Sequence, residues 1–202
     1  MPPLLETIAA QARALSLAEA TAVLLAIAYL LLAIRENVWC WLAAGISTAI
    51  YVWLFIGAKL YMESALNVFY FGMAVYGWYA WTHGGGPSHE LPVTRWPFRV
   101  HAAAIAGILA LSMVNGWLLE RHTDAEFPYL DSMTTWSAIW TTFLVARKVL
   151  ENWWYWLVID GVSVVIYWLR DLELTALLFV AYLVMIPFGL LAWTRSYRAA
   201  QA

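Results

Sequence analysis

Long apolar stretches, each about the length a helix needs to cross a hydrocarbon core, alternate along this chain with short clusters of charge. The pattern predicts seven spans, at approximately 17–34, 38–57, 61–82, 97–119, 129–147, 150–169 and 173–194. These runs are too long for strands of a membrane barrel and do not alternate with period two. The pattern also repeats. Glu36-Asn37-Val38-Trp39-Cys40-Trp41-Leu42 recurs 115 residues on as Glu151-Asn152-Trp153-Trp154-Tyr155-Trp156-Leu157, and 66–82 recurs 112 residues on as 178–194 with eight identities in 17 positions. The change of shift reads as one connecting loop three residues shorter in the second copy. Spans 1–3 form one copy and spans 5–7 the other. Three is odd, so direct fusion would invert the second copy. The fourth span, alanine-rich from Ala102, has no partner in the repeat and restores the direction. The expected organisation is a first three-helix repeat with its N-terminal segment (1–82), a loop and linker helix (83–128), and a second three-helix repeat with a tail (129–202). Such a repeated apolar chain is a common build for a transporter, with its site between the copies.

Composition narrows the class further. The chain is 64% hydrophobic and 12% charged, with mean hydropathy +0.70, whereas soluble domains carry about 25% charged residues. A net charge of -2 offers no basic surface to a nucleic acid. The single Cys40 excludes an intramolecular disulfide and a multi-cysteine metal site. No small-residue cleavage site follows the first apolar run, so no cleaved signal is expected. Arg35, Arg95, Arg99, Arg147, Lys148, Arg195 and Arg198 fall on one side of the predicted spans, and Arg13, Lys59, Arg121 and Arg170 on the other. Seven against four makes the first side cytoplasmic, with the N-terminus outside and the C-terminus inside. The run Gly84-Gly85-Gly86-Pro87-Ser88 is flexible by composition, and its loop is read as a simple join to the linker helix.

Few residues carry chemistry. Asp160 is an acid well inside a span, where a carboxylate is expensive and usually faces a cavity or a partner. It can attract a cation, accept hydrogen bonds or carry a proton; the bland alternative is a carboxyl satisfied by a nearby hydroxyl such as Ser163 or Thr141, or held protonated. Asn67 has amide donors and an acceptor that suit a heterocycle, or equally an interhelical tie. Tyr70 and Tyr182 are repeat-equivalent near mid-depth. Trp136 and Trp140 are one turn apart on a face that Thr141 follows. Aromatic faces with a few polar groups box a flat cationic ring, while most of the 14 tryptophans belong to interfacial belts. The candidate substrate-binding set is Asn67, Tyr70, Trp136, Trp140, Thr141, Asp160, Ser163 and Tyr182. Glu36 and Glu151 open spans 2 and 6, and are read as helix caps paired locally with Arg35 or Lys148, with a gate as the alternative. There is no phosphate-binding G-x-x-x-x-G-K-[ST], no H-E-x-x-H and no mid-membrane histidine, so neither enzyme chemistry nor a metal or cofactor is expected.

Two stretches, Leu60-Tyr61 through Tyr76-Gly77-Trp78-Tyr79-Ala80-Trp81 and Arg147-Lys148-Val149-Leu150-Glu151-Asn152-Trp153 through Trp156, resemble the PnuC family of bacterial vitamin transporters. The resemblance covers nearly the whole chain after about residue 17. It implies a three-plus-one-plus-three helix fold, similar to a full-length relative of the SWEET sugar transporters, and a homotrimer in the bacterial inner membrane. It also implies facilitated diffusion of a small B-vitamin or precursor, which a cytoplasmic kinase then traps. Nicotinamide riboside carriers of the family are expected to have glutamine near Asn67 and asparagine at Asp160, and this chain departs at both. Nicotinamide riboside stands slightly ahead of thiamine, and riboflavin well behind. A substrate-capture subunit serving a separate ATPase is the alternative class.

Overall fold

The computed structural model describes residues 4–59, 61–85 and 90–201; positions 86–88 of the glycine-rich loop lie outside them. Among the described residues the chain forms eight helices and no strand: α1 (Leu4–Ala14), α2 (Leu17–Ile34), α3 (Trp39–Gly57), α4 (Tyr61–His83), α5 (Phe98–His122), α6 (Pro128–Ala146), α7 (Asn152–Leu169) and α8 (Glu173–Ala199). Helices α2, α3, α5 and α8 are long and apolar enough to cross a membrane by length and composition. The other three long helices are diluted by the polar groups they carry, among them Asn67 on α4, four threonines on α6, and Asp160 and Ser163 on α7. Helix α1 was not read from the sequence. It is short and carries Glu6 and Arg13, and it docks on the α7–α8 turn, where the Gln11 side chain donates to the Asp171 carbonyl and accepts from the Leu174 N–H.

Helix α2 starts at a capping box: Ser16 Oγ accepts from the Glu19 N–H at 3.2 Å, and the Glu19 carboxylate accepts from the Ser16 N–H at 2.6 Å. It ends in a Schellman turn, with Glu36 N donating to Ala33 O and Asn37 N to Leu32 O. Helix α6 ends the same way 112 residues later, with Lys148 N donating to Val145 O and Val149 N to Leu144 O. Glu36 (φ 53°) and Lys148 (φ 49°) therefore take the left-handed conformation, as do Lys59 (φ 60°) and Asp171 (φ 55°), again 112 apart. A glycine would hold each of these positions at less cost.

The helix contacts follow the same arithmetic. Helices α2 and α3 pack together, as do α3 and α4; likewise α6 packs on α7 and α7 on α8. The two groups meet where α4 touches α6 and where α2 touches α8. Helix α5 lies outside, against α6. Gly77 on α4 receives the ring of Trp41, and Gly189 on α8 receives that of Trp153; a Cβ at either glycine would overlap the indole. Trp41 and Trp153 are 112 apart, so α3 and α7 correspond at 112 and not at the 115 of the quoted motif. Three residues are close to one helical turn, which keeps the motif similarity visible while shifting its register. At 112, the residue standing where Asp160 does is Thr48, and not Gly45 as the motif suggests.

The segment between α4 and α5 does more than join. Thr94 N donates to Lys148 O at 2.9 Å and Thr94 O accepts from Leu150 N at 2.8 Å. Glu151 holds Arg95 Nε at 2.8 Å and accepts from the Trp96 N–H. Residues 91–96 thus strap the α6–α7 turn. This ion pair also raises the pKa of Arg95 above its ordinary value.

Candidate functional site

A two-part cavity lies between the helix groups. Its inner compartment, about 140 Å³, is bounded by α2, α7 and α8 with Val145 of α6. Tyr29, Trp153, Trp156, Phe179 and Tyr182 make its walls aromatic, and Asp160 and Asn152 are its polar groups beside the two tyrosines. Asp160 is 4% exposed, and among the described residues no protein group pairs with its carboxyl. The satisfied-carboxyl alternative finds no support: the Thr141 hydroxyl donates to Ser137 O, and Ser163 makes no bond to Asp160. Asn152 is fully buried. Its Nδ2 donates to Val149 O at 2.7 Å, and its Oδ1 has no protein partner among the described residues. A buried carboxyl and a buried amide oxygen without protein partners are what a ligand bearing donors or positive charge would complete.

The outer compartment, about 410 Å³, shares Ala26, Tyr29, Trp156 and Phe179 with the inner one and so continues it. Here α3, α4 and α6 enter the wall, bringing Ser47, Thr48, Tyr70, Thr135 and Thr142, while α7 adds Ser163 and Tyr167. Among the described residues no lysine, arginine or histidine lines either compartment.

At the floor of the inner compartment the two helix groups are locked together. The Trp81 indole donates to Val145 O at 3.2 Å, and the Trp193 indole donates to Ala33 O at 2.9 Å. Each donor and each acceptor has its counterpart 112 residues away, so the two bonds are reciprocal. Four tryptophans, Trp41, Trp81, Trp193 and Trp153, follow one another edge to face at 5.6, 6.1 and 5.5 Å. Beneath them Lys148 Nζ meets Glu36 at 3.0 Å and sits 4.7 Å from the Trp81 ring centre. The local caps expected of Glu36 and Glu151 are absent: Glu36 pairs across the groups, and Glu151 anchors the strap.

Of the residues chosen from the sequence, Asp160 and Tyr182 line the inner compartment, and Tyr70 and Ser163 the outer one. The other four do not join them. Asn67 gives its amide to Glu63 O at 2.9 Å, outside the lining of both compartments. Trp136 and Trp140 face a groove shared with Ala103 and Gly107 of α5, and Trp140 packs on Trp96 and Phe143. Thr141 is wholly buried away from the cavity, while its neighbour Thr142 lines it. One spacing rule says which residues share a face but not which neighbour that face meets. Asn152 stands outside the set that the sequence singles out, because an asparagine beside the glutamate at a helix start is an ordinary capping residue. Its signal was position: it stands eight residues, just over two turns, before Asp160 on the same helix.

Residues 16–195 match the family model described as "Nicotinamide mononucleotide transporter". The chain is similar to the nicotinamide riboside transporter PnuC of Escherichia coli, 26% identical over 170 residues that cover 72% of this chain and 71% of that one. It is also similar to the riboflavin/roseoflavin transporter RibM of Streptomyces davaonensis, 24% identical over 81% of this chain and 78% of that one. Among solved structures it shares the fold of the vitamin B3 transporter PnuC, with a TM-score of 0.71 and 20% identity over 97% of this chain and 90% of that one. A match that runs through seven of the eight helices, on a fold with its cavity between two helix groups, makes the assignment: the chain belongs to the nicotinamide mononucleotide transporter (PnuC) family of membrane transporters.

Proposed function

We propose that the chain carries a cationic, ring-bearing B-vitamin or precursor across the bacterial inner membrane by facilitated diffusion, with nicotinamide riboside as substrate ahead of thiamine. The unpaired Asp160 carboxyl among the aromatic rings of the inner compartment carries this reading. A pyridinium or thiazolium stacks on such rings and is attracted by the acid. Among the described residues the cavity has no cationic side chain for a phosphate, which favours the riboside over the mononucleotide of the family's description. Similarity to the relative named a nicotinamide riboside transporter supports the order; Asp160 itself keeps thiamine, with its aminopyrimidine donors, close behind. Riboflavin, named for the Streptomyces relative, is uncharged and gains less from the carboxyl.

In the same reading, α2–α4 and α6–α8 are two parallel copies and α5 the linker, giving seven spans in a three-plus-one-plus-three arrangement. The divisions are 1–82, 83–128 and 129–202. The matched turns, the Trp–Gly contacts and the reciprocal indole bonds support the copies. The copies rock about the cavity. The tryptophan floor is the closed cytoplasmic gate, since the basic residues favour that side as inside, and Pro187 within α8 supplies a weak point in the helix. The N-terminus is then outside. The carrier assembles as a homotrimer, and a cytoplasmic kinase draws flux inward by phosphorylating the product.

The test is tryptophan quenching of the purified protein with nicotinamide riboside, thiamine and riboflavin, repeated on Asp160→Asn, and uptake by vesicles without an imposed gradient. Saturable binding of one cation, weakened at least tenfold in the variant, supports the reading. Strict dependence on a proton or sodium gradient would refute facilitated diffusion, and unchanged binding in Asp160→Asn would remove the acid from the site.

A further inference from the structure

The two compartments differ in chemistry as well as size. Asp160 and Asn152 stand in the small inner one; among the described residues nine bearing hydroxyls line the large outer one, without an acid or a base. Four of those hydroxyls have already spent their hydrogen. Ser47 donates to Ala22 O at 2.9 Å, Thr48 to Ala44 O at 2.8 Å, Thr134 to Leu130 O at 3.0 Å and Thr142 to Ala138 O at 2.8 Å. A hydroxyl has one hydrogen and two acceptor sites, so these four can only accept from anything in the cavity. Thr135 and Ser163 make no bond to protein among the described residues, and can accept or donate. Thr135, Ser163 and the phenols of Tyr29, Tyr70 and Tyr167 keep a hydrogen to give, so the outer wall can both accept from and donate to the hydroxyls of a neutral polyhydroxylated group, and among the described residues it offers no cation to an anion.

Resting on the function proposed above, we infer that the outer compartment is a separate subsite for the hydroxylated sugar arm of the substrate, with Thr142 and Ser163 as its specificity-determining residues while the cationic ring occupies the inner compartment. The division of volume agrees with this. The inner compartment, about 140 Å³ against about 410 Å³, is the size for one flat ring, and the shared Tyr29, Trp156 and Phe179 stand at the junction where ring and sugar would meet. Thr142 reaches the compartment from α6 and Ser163 from α7, so an arm held by both bridges two neighbouring helices. Both are buried, at 9% and 6% exposure, where loss of one acceptor is felt by the ligand and not replaced by bulk water.

Calorimetric titration of the purified protein with nicotinamide riboside and with 1-methylnicotinamide, the same cationic ring without the sugar, separates the two subsites. The variant is Thr142→Val with Ser163→Ala, which keeps the shape of the wall and removes its polar atoms. Expected is about tenfold weaker binding of the riboside, with 1-methylnicotinamide within about twofold of its affinity for the unaltered protein. Intact binding of the methylated ring also shows that the variant is folded. Equal loss for both ligands, or no loss for either, would overturn the sugar subsite while leaving the carrier reading in place. Failure of the unaltered protein to bind the riboside would overturn the sugar subsite and the riboside as substrate, and the carrier reading would fall with them only if thiamine also failed to bind.

Discussion

The ion pair beneath the tryptophan floor offers a sharp test of how the two helix groups are related. Lys148 and Glu36 meet at 3.0 Å with side chains 8% and 21% exposed. Removing one partner of a fully buried pair costs about 3–5 kcal/mol, because the other charge is stranded; an exposed pair is worth at most about 1 kcal/mol. Glu36 keeps some contact with water, so Lys148→Met should cost about 2 kcal/mol, including the lost cation–π contact with Trp81. For a chain of this size that is roughly a 4–8 °C fall in melting temperature. The exchange Glu36→Lys with Lys148→Glu is the informative partner. Positions 36 and 148 lie 112 apart, as Trp81 and Trp193 do. A cation placed at 36 should therefore stand over Trp193 as Lys148 stands over Trp81, and an acid at 148 should complete the pair. The exchange should recover most of the loss, to within about 0.5 kcal/mol of the unaltered protein. Thermal unfolding in detergent, followed by tryptophan emission, measures both. An exchange as unstable as Lys148→Met would refute the argument that the two positions are interchangeable.

The indole bonds carry a related expectation. Trp81→Phe and Trp193→Phe should each cost about 1 kcal/mol for the hydrogen bond, beyond the smaller ring, and by nearly equal amounts; a large inequality in melting temperature would contradict their reciprocity. Gly77→Ala should lower the melting temperature, since overpacking against Trp41 costs about 1–3 kcal/mol, whereas Gly72→Ala, with open space at its Cβ, should leave it level or higher. Ser16→Ala should cost about 1 kcal/mol through loss of the α2 capping box, read as faster amide exchange confined to the first turn of that helix. Glu151→Ala should release the strap and raise proteolysis near residues 91–96 without changing the affinity of the cavity for its ligand, a separation that protease mapping and titration together would detect.

The long helices were legible because each keeps an apolar run of membrane length. The same signal missed α1, whose 11 residues include two charges and whose docking depends on one glutamine meeting a turn 160 residues away. Asp160 was legible as an acid in an apolar run, and Tyr70, Ser163 and Tyr182 as polar groups near mid-depth. The tryptophans on α6 were not, since amphipathic spacing is silent about whether a face meets α5 or the cavity. The unpaired Asn152 oxygen shows only when the α6–α7 turn closes over it. The 112-residue spacing of the matched turns was hidden because tryptophans recur three residues apart around 153–156, giving the motif two near-equivalent alignments.

In the two-copy reading proposed above, the Glu36–Lys148 pair has a historical consequence. Two identical three-helix chains joined as a dimer would bring one position face to face with itself. Acid would meet acid, or base would meet base, and a buried contact of like charges repels. A complementary pair at that point can arise only after the two genes have been fused and free to diverge. The contact is thus a device that fusion made possible: a lock whose two halves an ancestral dimer could not have encoded.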